Sequence, residues 1–425
     1  MKKLFLFMLV VLAGAALTGC SQEDLEINDS TTETVDQGHY VSLDQALINL
    51  MPYYNEAAGT TRSSVLPLVS NFETLTVRNQ TRSSEEVAPY YIVNFADNSG
   101  FAVLSADDRL LPVYAFSTSG HIALADTVTN PTLSYFFNTL LQQEADNLDT
   151  GDTLLNLENT SELTNKFTII VNPLLSDQVS LWNQNEPYNE YCPNKYPVGC
   201  AALSVAQICS WYGIPEKFSF TENKNTETIT LNWSNLRQAL PTNSASMKIL
   251  AKFLAYLGSK DLLDMRYKEG NSTIDTTLNI INTIKKLGFS KCNERTYNLQ
   301  GAKALLENHN TPFIISSVFG KSEEKNGEFV LNFNPTDGHI FIIDGIASNT
   351  LIVSSPTIPP TYSSATFYYV HCVWGQKDHS NGFFYNPISS SRMNVLPPYS
   401  TTTNGLSIPS GWDDYTKLQH YFIIQ

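Results

Sequence analysis

The stretch that most limits what this chain can become runs Pro197-Val-Gly-Cys200-Ala-Ala-Leu-Ser-Val-Ala-Gln-Ile-Cys209-Ser-Trp-Tyr-Gly-Ile-Pro215. From residue 200 to 212 it holds good helix formers and is apolar nearly all round, so the helix it predicts must be buried on every side, at the centre of a domain. A cysteine after a small turn residue, at the first position of such a helix, has its sulfur at the positive end of the helix dipole, which favours thiolate over thiol. The same pattern suits a buried structural cysteine, free cysteine being among the most buried residue types. Residues elsewhere in the chain decide between the two.

The N-terminus predicts an exported protein. Lys2 and Lys3 precede an apolar run from Leu4 to about Leu17, too short to span a bilayer comfortably and shaped like a signal peptide. It ends in Leu17-Thr18-Gly19-Cys20, which resembles the lipobox of bacterial lipoproteins, and that resemblance implies lipidation at Cys20. The acidic Ser21-Gln-Glu-Asp24 that follows is similar to the surface-export signals of Bacteroidetes lipoproteins. Membrane contact is thus expected only through the lipid, at the cell envelope and its outer surface, with the enzyme released from it once the anchored half is cut away.

The net charge of -15 is distributed unevenly. Residues 21 to 165 carry 21 acidic and 4 basic side chains, whereas residues 166 to 425 carry 20 of each. Two electrostatic halves over 425 residues predict two domains. No basic patch is large enough for nucleic acid. With Cys20 lipidated, Cys192, Cys200, Cys209, Cys292 and Cys372 remain, an odd set that leaves a free thiol. There is no Cys-x-x-Cys, so neither a zinc site nor a thioredoxin-like one is supported, and no cofactor or metal is expected.

Residues 20 to 39 read as an acidic tether after a signal at 1 to 19. An amphipathic helix from Val41, strands at Tyr90 to Phe95, Phe101 to Ser105 and Val113 to Ser117, and a helix from Thr132 to about Leu148 make a small α+β domain over 40 to 160. The polar segment between Asp146 and Lys166 reads as an exposed linker, the kind proteases cut. Helices are predicted at 233 to 257 and 273 to 287, with strands from Phe313, His339, Leu351, Thr366 and His420. Helices first and strands later argue α+β rather than alternating α/β, with the second domain at 166 to 425.

A thiol protease needs an activated cysteine, a histidine that takes and returns its proton, a group that orients the histidine, and donors for the oxyanion. Of seven histidines, His339 is the best placed, following Asp337-Gly338 at the start of an apolar strand. These residues resemble a family, the streptopain-like cysteine proteases of the papain clan. The resemblance is carried by Trp182-Asn-Gln184-Asn-Glu-Pro-Tyr188-Asn-Glu-Tyr-Cys192-Pro, by Val198-Gly-Cys200-Ala-Ala-Leu-Ser-Val-Ala-Gln207 and by Gly338-His339-Ile-Phe-Ile-Ile-Asp344-Gly345. Residues 90 to 120, with Gly100-Phe-Ala-Val-Leu-Ser-Ala-Asp-Asp-Arg109, are similar to that family's propeptide and inhibitor domains.

The resemblance implies a papain-like fold, a helical subdomain plus an antiparallel β subdomain, behind an α+β pro-domain. It implies Cys200 as nucleophile, His339 as general acid/base and Gln184 as the side-chain donor of the oxyanion hole. Where the family has an Asn-Trp-Gly-Trp-Gly run, this chain has His371-Cys372-Val373-Trp374-Gly375, so His371 is expected in the orienting position. Trp374, Tyr267 and Ser272 are expected at the cleft wall or a subsite. The resemblance further implies a zymogen acting on protein or peptide substrates, blocked by its own N-terminal domain until that domain is cut away. A catalytically weak or inactive homologue that binds peptides, and an acyl transferase or amidase on the same scaffold, remain open at this point.

Overall fold

The structure, a computed structural model, describes residues 39–425 except 61–64, 79–85, 125–129, 151–161, 240–243, 271, 326–327, 334–337, 356–360, 377–379, 386–400, 403–404, 407–414 and 425. The lipidation motif at Cys20, the tether and the middle of the expected linker lie outside those residues.

Short polar side chains start the N-terminal elements. Ser42 accepts a hydrogen bond from the Gln45 amide (3.3 Å) and opens α1 (Leu43–Ala57), whose Ala46, Leu50, Tyr53 and Tyr54 are buried. Four antiparallel strands follow: β1 (Val69–Arg78), β2 (Glu86–Phe95), β3 (Phe101–Ser105) and β4 (Val113–Ser117). Asn130 caps α2 (Pro131–Tyr135), which continues through a π-turn at Phe136–Leu140 into α3 (Leu141–Thr150). This is the small α+β domain the sequence predicts.

The chain resumes in β5 (Glu162–Val171), which pairs along its length with a strand of the second domain. Its pairing starts four residues ahead of Lys166, inside the segment that reads as linker, so the bridging stretch is confined to 151–161. Next come α4 (Asp177–Ser180), the central α5 (Cys200–Tyr212), a hairpin of β6 (Lys217–Glu222) and β7 (Asn225–Thr230), then α6 (Trp233–Leu236), α7 (Ala245–Leu257) and α8 (Leu278–Lys286). The single helix expected over 233 to 257 is therefore two. β8 (Cys292–Thr296) and α9 (Leu299–His309) lead into β9 (Phe313–Lys325), β10 (Glu328–Phe333), β11 (His339–Ser355), β12 (Thr361–Val373) and β13 (Gly382–Tyr385). The short β14 (Thr401–Thr402) and β15 (Gly405–Leu406) precede β16 (Tyr415–Ile424). No helix among the described residues is long and apolar enough to cross a membrane.

Two cores result. In one, α5 is buried from Ala201 to Ser210 and surrounded by Trp182, Tyr188, Val198, Phe253 and Leu254, as its all-round apolarity requires. The other joins the two domains. Among the described residues one twelve-stranded sheet runs β1-β2-β3-β4-β13-β12-β11-β9-β16-β8, with β5 also on β11 and β10 on β9. The domains meet where β4 pairs with β13, Phe116 opposite Phe383 and Ala115 opposite Phe384. Gly382 allows that approach: a Cβ there would lie 2.6 Å from the Phe116 carbonyl oxygen and 3.0 Å from Ser117 Cβ. Aromatic rings fill the junction. Phe116 stacks on Phe383 (centroids 5.5 Å apart) and meets Phe167 and Tyr53 edge-on at 5.3 and 5.7 Å. The Tyr53 hydroxyl accepts from Asn349 Nδ2 at 2.6 Å, and the Tyr369 hydroxyl donates to the Val113 carbonyl at 2.7 Å.

Phe116 is fully buried between the two domains, so Phe116→Ala is expected to lower stability by about 3–5 kcal/mol. Urea unfolding of the full chain measures this; a loss under about 1 kcal/mol would show that the ring does not bear on both domains.

Candidate active site

The site forms where α5 meets the first residues of β11. Gly199 has φ +90°, open to glycine, and a Cβ on it would lie 2.2 Å from Met265 Cε and 3.0 Å from the Ser272 carbonyl oxygen. Because Gly199 has no side chain to meet those atoms, the helix can begin at Cys200. Just upstream, the Val198 amide donates to the Gln184 carbonyl at 2.9 Å, tying the loop that bears Gln184 to the start of the helix. Asn183 Oδ1 accepts from the Asn185 amide at 3.0 Å and holds the turn around it. On the other side, Ser204 Oγ donates to the Ile340 carbonyl at 3.3 Å and locks α5 against the strand that carries His339. The structure thus brings Cys200, Gln184 and His339 to one place.

His339 is buried. Its Nε2 lies 2.9 Å from the Trp374 carbonyl oxygen, and a carbonyl can only accept, so this nitrogen carries the proton and Nδ1 keeps its lone pair. The ring stacks on Phe341 at 5.9 Å. Burial pushes its pKa down to about 4, the Trp374 carbonyl pulling weakly the other way. Cys200 keeps some accessible surface, yet burial pushes its thiol above the ordinary value, opposed by the amides of Ile340, Ala201 and Cys200 itself. The dipole expected to favour thiolate is outweighed here. Among the described residues Sγ of Cys200 and the His339 ring are not hydrogen-bonded to each other. Burial thus disfavours the charged form of both groups.

His371 does not orient His339. It faces Gly345 across the β11–β12 ladder, six residues along the strand from His339 and on the order of 20 Å away. Its Nδ1 pairs with the fully buried Asp344 carboxylate at 2.6 Å, and the other oxygen of Asp344 accepts from the Leu175 amide at 3.0 Å. The group that holds His339 is instead a main-chain carbonyl, which no residue type announces. The Trp374 indole is buried on Phe341 and Phe384 at 4.6 and 5.1 Å, its Nε1–H donates to the Ser380 carbonyl at 3.0 Å, and it lines a cavity together with Phe341 and with Thr132 and Phe136 of the N-terminal domain. Tyr267 turns its hydroxyl inward beside Cys192 and over Gly258. Ser272 is buried under Gly199, its Oγ without a hydrogen-bond partner, and so braces the start of α5 rather than lining a groove. The five described cysteines are all free.

A cysteine opening a buried helix and a tautomer-fixed histidine at the start of an adjoining antiparallel strand, with the main chain of a glutamine tied just ahead of the helix, fit a cysteine-type endopeptidase of papain-like fold. Residues 182–384 match the model of the Peptidase C10 family, and residues 38–144 that of the Spi protease inhibitor. The chain thus carries a Peptidase C10, or streptopain-family, domain with an inhibitor-like domain ahead of it. No curated protein matches. Among solved structures, a fragment of prointerpain A from Prevotella intermedia aligns with a TM-score of 0.45 at 18% identity, over 72% of this chain and 91% of that one.

A histidine ordinarily titrates near 6.5, so between pH 6.5 and about 4 the unfolded chain binds more protons than the folded one at His339. Stability from this group is full above pH 6.5 and drains away as pH falls towards 4, by up to about 3 kcal/mol. Calorimetry of the full chain carrying Cys200→Ala should show this acid loss, and adding His339→Asn should flatten it. Equal pH slopes in the two proteins would overturn the assignment.

Proposed function

We propose that this chain is a latent cysteine endopeptidase, exported and lipid-anchored through Cys20, that gains activity when its N-terminal domain is removed. One observation carries the latency: the N-terminal domain is zipped to β13 by β4, directly after the loop whose Trp374 carbonyl holds His339. With that domain docked, burial favours neutral thiol and neutral imidazole over the ion pair that catalysis uses. Undocking lets water and substrate reach both groups.

In the open enzyme Nδ1 of His339 takes the Cys200 proton. The thiolate attacks a peptide carbonyl, and the negative oxygen is met by the Cys200 amide and the Gln184 side-chain amide. His339 then returns the proton to the leaving amine, and water hydrolyses the thioester. Substrates are proteins or peptides, and the other partner is the chain's own N-terminal domain. The export reading is supported by the apolar run from Leu4 and the Leu-Thr-Gly-Cys20 motif; metabolic labelling with an alkyne fatty acid should be lost in Cys20→Ala.

Cys200→Ala should abolish turnover, and Gln184→Ala should lower kcat by about 10²–10³-fold, as loss of one oxyanion donor does. Mass spectrometry of the purified protein on incubation tests the rest. The wild type should be cut within 151–161 while Cys200→Ala stays whole, and full activity in the uncut chain would refute latency. Selective alkylation of Cys200 in a His339-dependent way excludes the inactive-homologue reading.

A further inference from the structure

The carbonyl that fixes His339 lies just past the end of β12, and a carbonyl orients a ring only if it is itself held. Three hydrogen bonds hold it. The Trp374 amide donates to Asn381 Oδ1 at 2.8 Å, and the Trp374 indole donates to the Ser380 carbonyl at 3.0 Å. The third bond leaves the loop altogether: Asn381 Nδ2 donates to the Ser180 carbonyl at 2.8 Å. One contact needs an acceptor and the other a donor, so the orientation of the Asn381 amide is fixed, and an asparagine alone among side chains of that length supplies both groups.

Ser180 closes α4, and the preceding residue, Val179, accepts from Gln207 Nε2 of α5 at 3.0 Å. A continuous path therefore runs from His339 through the Trp374 carbonyl, the Asn381 amide, α4 and Gln207 to the helix that begins at Cys200. It crosses from the antiparallel half of the enzyme to the helical half, on the side of α4 from which the chain continues to Gln184.

We infer that Asn381 is a positioning residue of the peptidase: its amide clamps the Trp374 main chain against α4, and so sets the tautomer and aim of His339 relative to Cys200. The role that His371 fills neither by register nor by contact is divided between a main-chain acceptor and the side chain that holds it. This rests on the reading of Cys200 and His339 as the reacting pair. Asn381 touches no substrate, and it also immediately precedes Gly382, where the N-terminal domain takes hold of β13.

The full chain carrying Cys200→Ala, labelled with ¹⁵N-histidine and assigned with His339→Asn, reports the tautomer directly. At neutral pH His339 should show a single Nε2-protonated tautomer. In Asn381→Ala it should average between the two forms. Asn381→Asp keeps the acceptor for the Trp374 amide but sets a carboxylate oxygen against the Ser180 carbonyl, so it loses the clamp to α4 and should average as well. Retention of the single tautomer in either variant overturns the inference. Should Asn381→Ala not fold, Asn381→Asp alone decides.

In the catalytically intact full chain after incubation, Asn381→Ala should lower kcat by about 10²-fold, as a misplacement of about 1 Å does, with KM within about twofold; an unchanged kcat counts against the clamp. If the wild type neither labels at Cys200 nor cleaves peptides, the peptidase reading falls, while the tautomer result still decides the role of Asn381.

Discussion

The bond from His339 Nε2 to the Trp374 carbonyl is the contact on which the site turns. A buried imidazole has two nitrogens and one proton, and whichever nitrogen meets an acceptor gives up its role as base. By accepting the hydrogen bond from Nε2–H, the carbonyl leaves Nδ1 with the lone pair. A main-chain acceptor has no charge to gain or lose and stays an acceptor at every pH. It also has no side-chain torsions of its own, so its aim is set wholly by what grips the loop. That transfers the burden of precision to residues 374 to 385, where the indole is packed on Phe341 and Phe384 and the following strand is laid against the N-terminal domain.

Magnitudes explain why a helix N-terminus does not by itself make a thiolate here. The dipole is worth about 0.3–1 kcal/mol near the surface, up to about 2 in favourable geometry. Taking a charge out of water shifts a pKa by as much as 3–5 units. Three amides around Cys200 offset part of that penalty and not all of it. The same desolvation acts on His339 in the opposite sense, since it disfavours the charged form of each group. Burial therefore raises one pKa and lowers the other, moving both away from the ion pair.

The parts legible in the sequence were those in which residue type and local period agree. The helix from Cys200 was readable because no face of it is polar, and the strand from His339 because Ile340 to Ile343 leave it nowhere but the core. β5 was not: Glu162-Leu-Thr-Asn-Lys166 looks like linker because its residues are mostly polar and its partners, Thr350 to Ser354 of β11, lie far along the chain. The join between β4 and β13 is likewise non-local, and four residues, Gly382 to Tyr385, are too few to announce a strand. His371 was misplaced for a related reason. Position in a motif can be read from sequence, but pairing register cannot, and Gly345 opposite His371 puts the ring beside Asp344 instead of His339. Asn381 gives no signal at all, since what makes it matter is a main-chain atom seven residues away.

Joining the two domains edge to edge has a thermodynamic consequence for activation. A cut between 150 and 162 breaks one covalent bond and none of the contacts at the junction: β4 still pairs with β13, Phe116 still stacks on Phe383, and β5 stays on β11 with the catalytic half. What the cut changes is concentration. The tethered domain is held at the effective concentration its linker sets, on the order of millimolar for a short flexible one, and the severed domain only at its own. Both the paired strand and the buried aromatic rings resemble a domain core cut in two, the kind of surface found in permanent rather than transient complexes. Cleavage and undocking are therefore separate events in this architecture, and the site opens with the second.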